Sequence, residues 1–181
     1  MAQAALGFVR LVLCALCLSV PFAAWAEGDD EAWIGKPAPA FQVKDLDGKD
    51  LRLSDFAGKK LVWINFWGLR CGPCIQEMPV LEKVYKTYEA RGVVMIGLNS
   101  DGVDGNHIRK AVAERPELKS MGVTFPMAAD PEFKAIDAYQ LAGAPLNVLV
   151  DKEGVIRYRH TGYEPGDEAQ YTEAIDKLLS R

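Results

Sequence analysis

Apolar residues run in blocks along this chain, and the blocks change period in an order that predicts alternating strands and helices. Leu11 to Ala24 is almost wholly apolar, and Glu27 to Gly35 after it is polar. Ala40 to Val43 and Asp50 to Leu53 are short strand candidates around the turn pair Asp47-Gly48, which predicts an N-terminal β-hairpin. Ser54 to Gly58 carries the cap and stop of one helical turn. Lys60 to Phe66 is a continuous run rich in β-formers, the pattern of a strand buried on both faces. From Gly72 the period becomes helical. Cys74, Met78, Leu81, Tyr85 and Tyr88 fall on one stripe, Pro79 inside it is expected to kink the helix, and Gly92 ends it. Val93 to Asn99 predicts a second buried strand. Helices at Asp104–Ala113 and Glu117–Met121, a strand at Thr124–Ala128 and a helix at Pro131–Tyr139 follow. A hairpin joins Leu146–Val150 to Val155–His160, and Glu168–Leu179 closes the chain as an amphipathic helix. This order predicts an α/β domain with a mixed central sheet flanked by helices and a helical insertion near its middle.

The first 26 of the 181 residues stand apart from that domain. Arg10 is the one charge before Glu27, and Ala24-Trp25-Ala26 offers small residues where a signal peptidase reads. The segment reads as a secretory signal peptide cut after Ala26. The alternative is an uncleaved anchor on the outer face of the inner membrane, but the apolar run is shorter than the ~20 residues a spanning helix needs. Residues 27–35 then form a short, loosely ordered lead, and 36–181 a single domain. The expected location is the periplasm. The net charge is −4, and removing the leader takes away only a basic residue. No basic cluster exists, so the chain offers nothing for nucleic acid.

Charge narrows the partners, and cysteine usage narrows the chemistry. Cys14 and Cys17 lie mid-run in the leader and would leave with it; the bulky Leu13 and Leu16 before them argue against lipidation. That leaves Cys71 and Cys74. Three residues apart at the start of a predicted helix, they share a face within disulfide reach. Unpaired N–H groups and the positive dipole end at that point stabilise a thiolate on Cys71. So short a loop removes little unfolded-state entropy, which makes stapling a poor reason for the pair and redox exchange a good one. A zinc half-site would need further ligands, and His107 and His160 are the only histidines; both read as surface or satisfied polar residues.

Four blocks in order resemble the thioredoxin superfamily, and within it the exported TlpA/ResA-like thiol–disulfide oxidoreductases. They are Gly35-Lys36-Pro37-Ala38-Pro39-Ala40-Phe41, Phe66-Trp67 through Cys74, Glu77-Met78-Pro79, and Gly143-Ala144-Pro145 through Asp151-Lys152-Glu153-Gly154. The resemblance implies a thioredoxin fold with Cys71 as attacking thiolate and Cys74 as buried resolving sulfur. Glu77, three residues past Cys74, would handle the proton, because a desolvated carboxylate with a raised pKa can accept it. Asn65 stands where thioredoxin itself keeps a buried aspartate. Ala144-Pro145 matches the cis-proline loop, where an extended substrate peptide can pair.

The substrate-binding set is therefore Trp67, Arg70, Gly72, Pro73, Ala144 and Pro145, with Trp67 expected to pack beneath the motif. Arg70 replaces the family's usual tryptophan. Its guanidinium either favours the thiolate and makes the couple more oxidising, or is a solvated arginine at a loop edge with little influence. The branch implies a reductase for protein disulfides, apocytochrome c thiols among them, with a membrane thiol carrier for regeneration, no cofactor or metal, and a monomer. Two rivals remain. A thiol peroxidase would carry Pro-x-x-x-Thr-x-x-Cys, which is absent before Cys71. A copper-binding chaperone would use a longer cysteine spacing with a distal histidine.

Overall fold

The computed structural model describes residues 28–180. The leader, with Cys14 and Cys17, lies outside the described residues. After a short helix α1 (Gly28–Glu31), the hairpin strands β1 (Gln42–Asp45) and β2 (Asp50–Arg52) lead through a 3-10 turn to β3 (Leu61–Trp67). Then come α2 (Gly72–Tyr88), β4 (Val93–Asn99), α3 (Gly105–Glu114), α4 (Pro116–Lys119), β5 (Met127–Ala129), α5 (Lys134–Ala138), β6 (Leu146–Val150), β7 (Ile156–Thr161) and α6 (Glu168–Leu179). The seven strands form one mixed sheet in the order β2-β1-β5-β4-β3-β6-β7. β3, β4 and β5 run parallel, so the loops that follow them share one edge of the sheet.

Alternation along β3 divides the core. Leu61, Trp63 and Trp67 face a cluster with Cys74, Met78, Leu81 and Val84 of α2 and Tyr171 and Ile175 of α6. Val62, Ile64 and Phe66 face the other cluster, with the hairpin, Tyr139, Val148 and Val150. All seven β3 residues are buried, as the unbroken apolar run requires. The helix runs on through Pro79 as one element. Val84 joins its buried stripe, while Tyr85, which the sequence placed there, stays half-buried at the edge.

Several boundaries shift for local reasons. The strand expected at Thr124–Ala128 is confined to Met127–Ala129, since Pro126 has no N–H to give a ladder. The helix expected from Pro131 begins only at Lys134. Asp130, nearly fully buried, accepts the N–H groups of Lys134, Ala135 and Ile136 at 3.1, 2.8 and 3.0 Å, and so fixes the start. The first strand lies at Gln42–Asp45, later than the expected Ala40–Val43, where Lys44 and Asp45 register with Ala129 and Ala128.

The lead is the clearest departure. Its described part is docked. Asp30 accepts from the buried Arg159 at 2.7 Å and from the Thr161 N–H at 2.9 Å. The Arg159 guanidinium stacks 4.7 Å from the Trp33 ring and also donates to the Tyr139 carbonyl at 3.1 Å. A buried arginine needs that carboxylate, so the polar lead becomes part of the domain. Asp30→Ala should therefore cost about 3 kcal/mol in urea unfolding, because it strands the guanidinium in the core.

Candidate active site

Cys71 occupies the residue before the first helical one, in extended backbone, and Pro73 sits in the first turn, where its missing N–H costs nothing. The Cys74 N–H donates to Cys71 Sγ at 3.2 Å, so the sulfur itself caps α2. A disulfide joins Cys71 to Cys74, with their Cα atoms 5.2 Å apart. Cys71 is half-buried and Cys74 is fully buried. A sulfur outside the protein can reach only the first.

The loop before Cys71 is held from the neighbouring strand. Asp101, just past β4, accepts the Leu69 N–H at 2.6 Å and the Asn99 side-chain amide at 2.9 Å. A Cβ at Gly68 would stand 3.1 Å from Asp101 Oδ1, so glycine leaves room for the carboxylate to close on the loop. On the other side, the Ala144 carbonyl oxygen lies 3.4 Å from Cys71 Sγ, and the Ala144–Pro145 peptide is cis.

Of the expected substrate-facing residues, Arg70, Gly72 and Pro73 are exposed and Ala144 is half-buried. Trp67 and Pro145 are buried and cannot offer side-chain surface to a substrate. Trp67 packs under the motif in the α2 cluster. Pro145 is tied down through its carbonyl, which accepts the Gly162 N–H at 2.8 Å. Arg70 makes no ion pair or hydrogen bond among the described residues.

Glu77 lies one helical turn beyond Cys74 and is fully buried. Three elements converge on it. Asn65 of β3 donates to Oε2 at 3.0 Å, and Asn147 of β6 and Tyr171 of α6 both donate to Oε1 at 2.6 Å. Asn65 and Asn147 are directly paired in the β3–β6 register, so one rung of the sheet supplies both amides. The Trp63 indole N–H donates to Asn147 Oδ1 at 2.9 Å and orients that amide. Burial pushes the Glu77 carboxyl up to about 7, with the nearby Asp167 charge adding to it, against the pull of the three donors.

Sequence reasoning marks Leu146-Asn147 only as a departure from the family that bears on substrate preference, and misses Asp101, Tyr171 and the tie of Asn147 to Glu77. Their only signals were a polar cluster at a strand end, an asparagine amid the apolar Leu146–Val150, and a tyrosine on a buried stripe. A polar atom so placed must find a partner.

Residues 34–159 match the AhpC/TSA family. The chain belongs to that family. Among curated relatives, the thiol-disulfide oxidoreductase ResA of Bacillus thuringiensis subsp. konkukian (strain 97-27) is 35% identical over 148 residues, 82% of this chain and 81% of its own. ResA of Bacillus subtilis (strain 168) is 33% identical, over 83% of this chain and 79% of its own. A crystal structure of a candidate thiol:disulfide interchange protein DsbE from Chlorobium tepidum superposes with TM-score 0.70 at 29% identity, over 81% of this chain and 97% of its own. The solution structure of a candidate protein disulfide isomerase from Bacteroides thetaiotaomicron gives 0.71 at 30%, covering 82% and 91%. The thioredoxin-like fold implied by the resemblance is thus the fold observed.

The buried carboxyl has a pH signature. Its folded pKa lies above the 4.5 of a free glutamate, so between about pH 4.5 and 7 the native state holds a proton that the unfolded chain has released. Stability should fall as pH rises through that window, by on the order of 3 kcal/mol. Denaturation of Glu77→Gln across the same window should lack this component.

Proposed function

We propose that this thiol–disulfide oxidoreductase acts on protein disulfides through Cys71 and Cys74, with Glu77 as proton acceptor. The observation that carries the reading is the pairing of a reachable sulfur at a helix start with a fully buried one, and a carboxylate poised near neutrality one turn beyond. The Cys71 thiolate attacks a substrate disulfide, forms a mixed disulfide and releases one substrate thiolate. The Cys74 thiol gives its proton to Glu77. The Cys74 thiolate then attacks Cys71, closing the Cys71–Cys74 bond and releasing the second substrate thiolate. One substrate disulfide is reduced and one dithiol oxidised. The half-exposed Ala144 beside Cys71, with exposed Arg70, Gly72 and Pro73, makes the surface on which an extended peptide docks.

In the cell the protein works outside the inner membrane, delivered by the leader ending at Ala26. It reduces proteins such as apocytochrome c and is itself recharged by a membrane thiol carrier. The ResA relatives and the likeness of the motif to reductive thioredoxins support that direction, and the exposed Arg70 charge opposes it modestly. Surface charges are screened, so its pull on the thiolate is small beside that of the helix start.

The rival classes find less in the site. The peroxidase motif is absent before Cys71. His160, the distal histidine a copper-binding chaperone would use, lies 3.3 Å from Asp167 and packs on Tyr171.

Cys74→Ser in the native host should accumulate mixed disulfides through Cys71, and mass spectrometry would identify the trapped proteins. Their absence, or rapid Cys71-dependent turnover of hydrogen peroxide with dithiothreitol, would overturn the reading. In the same framework Glu77→Gln should slow resolution more than initial attack. Equal slowing of both steps, or of neither, would remove Glu77 from the mechanism.

A further inference from the structure

Two of the three hydrogen-bond partners of Glu77 can only donate to it, and so offer nothing to the O–H of a protonated carboxyl. The Trp63 indole, which can only donate, holds Asn147 Oδ1 and so turns the Asn147 NH2 toward Glu77. The Asn65 NH2 bridges Glu77 Oε2 and Asn147 Oδ1, at 3.0 Å to each. Flipping Asn65 would set oxygen against oxygen at Asn147, and its own Oδ1 is already buried with no partner among the described residues. Both amides are therefore fixed donors, suited to a carboxylate and unable to accept from a carboxylic acid.

The Tyr171 hydroxyl is not so limited. It donates to Oε1 at 2.6 Å, and by turning about its C–O bond it can accept from the same oxygen. We propose that Tyr171 is a positioning residue for the resolving step, its hydroxyl holding Glu77 as a carboxylate before proton transfer and becoming the acceptor once Glu77 carries the proton. This rests on the reading of Glu77 as proton acceptor. The balance is unchanged: the proton leaves Cys74 Sγ for Glu77 Oε1, the Cys71–Cys74 bond forms, and the bond from Cys71 to the substrate sulfur breaks. The substrate thiolate takes its proton from water. Tyr171 contributes no proton of its own, since burial and the neighbouring Glu77 charge push its hydroxyl pKa up.

The surroundings leave this role to Tyr171. β3 and β6 present only the neutral amides of Asn65 and Asn147. Glu77's own helix brings Cys74 and, at its start, Cys71. From β7 come Tyr158 and His160, whose rings lie 6.1 and 6.4 Å from that of Tyr171. Asp167 and Glu168, at the head of α6, Tyr163 in the preceding loop and Asp30, whose charge reaches Tyr158, also act on this corner. The buried Tyr158 hydroxyl has no partner among the described residues and packs edge-on to Tyr171. The Tyr171 ring packs edge-on to Trp63 at 5.0 Å, so Tyr171→Phe keeps the packing and removes only the hydroxyl.

Stopped-flow mixing of the reduced protein with a fluorescent peptide disulfide separates attack from resolution across pH 5 to 9. Losing a donor to the carboxylate raises its pKa, so Tyr171→Phe should move the resolution midpoint up by about one unit and slow resolution about fivefold at pH 7. Attack should be unchanged, and the Tyr171→Phe/Glu77→Gln pair should match Glu77→Gln alone. Replacing Tyr171 with 3-fluorotyrosine, a stronger donor of the same shape, should move the midpoint down. A midpoint unmoved by both changes, or a slowing uniform across pH, would overturn the role of Tyr171 while leaving Glu77 in place. A resolution profile unaffected by Glu77→Gln would overturn both.

Discussion

A carboxylate taken out of water must be met by donors or surrender its charge, and Glu77 is held between those outcomes. Each donor comes from a different element: β3 sends Asn65, β6 sends Asn147 and α6 sends Tyr171. α2 carries both the redox pair and Glu77, so the three bonds fasten that helix to the sheet and to the C-terminal helix at the depth where Cys74 is buried. A well-packed hydrophobic side chain there would hold the elements together without a polar network. The proposed mechanism gives the polar solution a reason: a group that is to gain and lose a proton beneath a disulfide needs an environment that nearly balances its two states.

The same sheet edge keeps Cys71 accessible while Cys74 is sealed. Parallel strands β3, β4 and β5 end on one side, which puts Asp101 beside the loop from Gly68 to Arg70, and antiparallel β6 begins there with Ala144 near the sulfur. The loop is clamped at Leu69 and opposed at Cys71, so the sulfur is presented from a fixed backbone. Arg70, one residue earlier, is the exposed part of this edge and has no ion-pair partner among the described residues.

Much of this was legible in the sequence because it is local. The apolar run Lys60–Phe66 and the stripe through Cys74, Met78 and Leu81 place the strand and helix, and helical spacing brings Cys71, Cys74 and Glu77 together, while the role of Glu77 comes from the resemblance. The four family-like blocks add the cis-proline loop. What was not legible depends on contacts across long separations. Nothing near Tyr171 says that its hydroxyl ends on a carboxylate 94 positions earlier, nor does anything near Asn147 point 70 positions back. Register decides the second: pairing of Asn65 with Asn147 brings the two amides to one rung, and a one-residue slip would turn Asn147 to the other face. The polar lead misled for the same reason. Its composition reads as loose, and only the buried Arg159, 129 positions later, gives Asp30 a reason to be ordered.

Glu77 is the hinge of the proposed mechanism, and its protonation can be followed directly. Isotope-edited NMR of the Glu77 side-chain carboxyl in the disulfide form, assigned by its loss in a Gln variant, gives its titration curve. A midpoint near 7 is the expected result. A midpoint near the 4.5 of an ordinary glutamate would show a carboxylate too weakly basic to draw the proton from Cys74, and would contradict the mechanism at its centre.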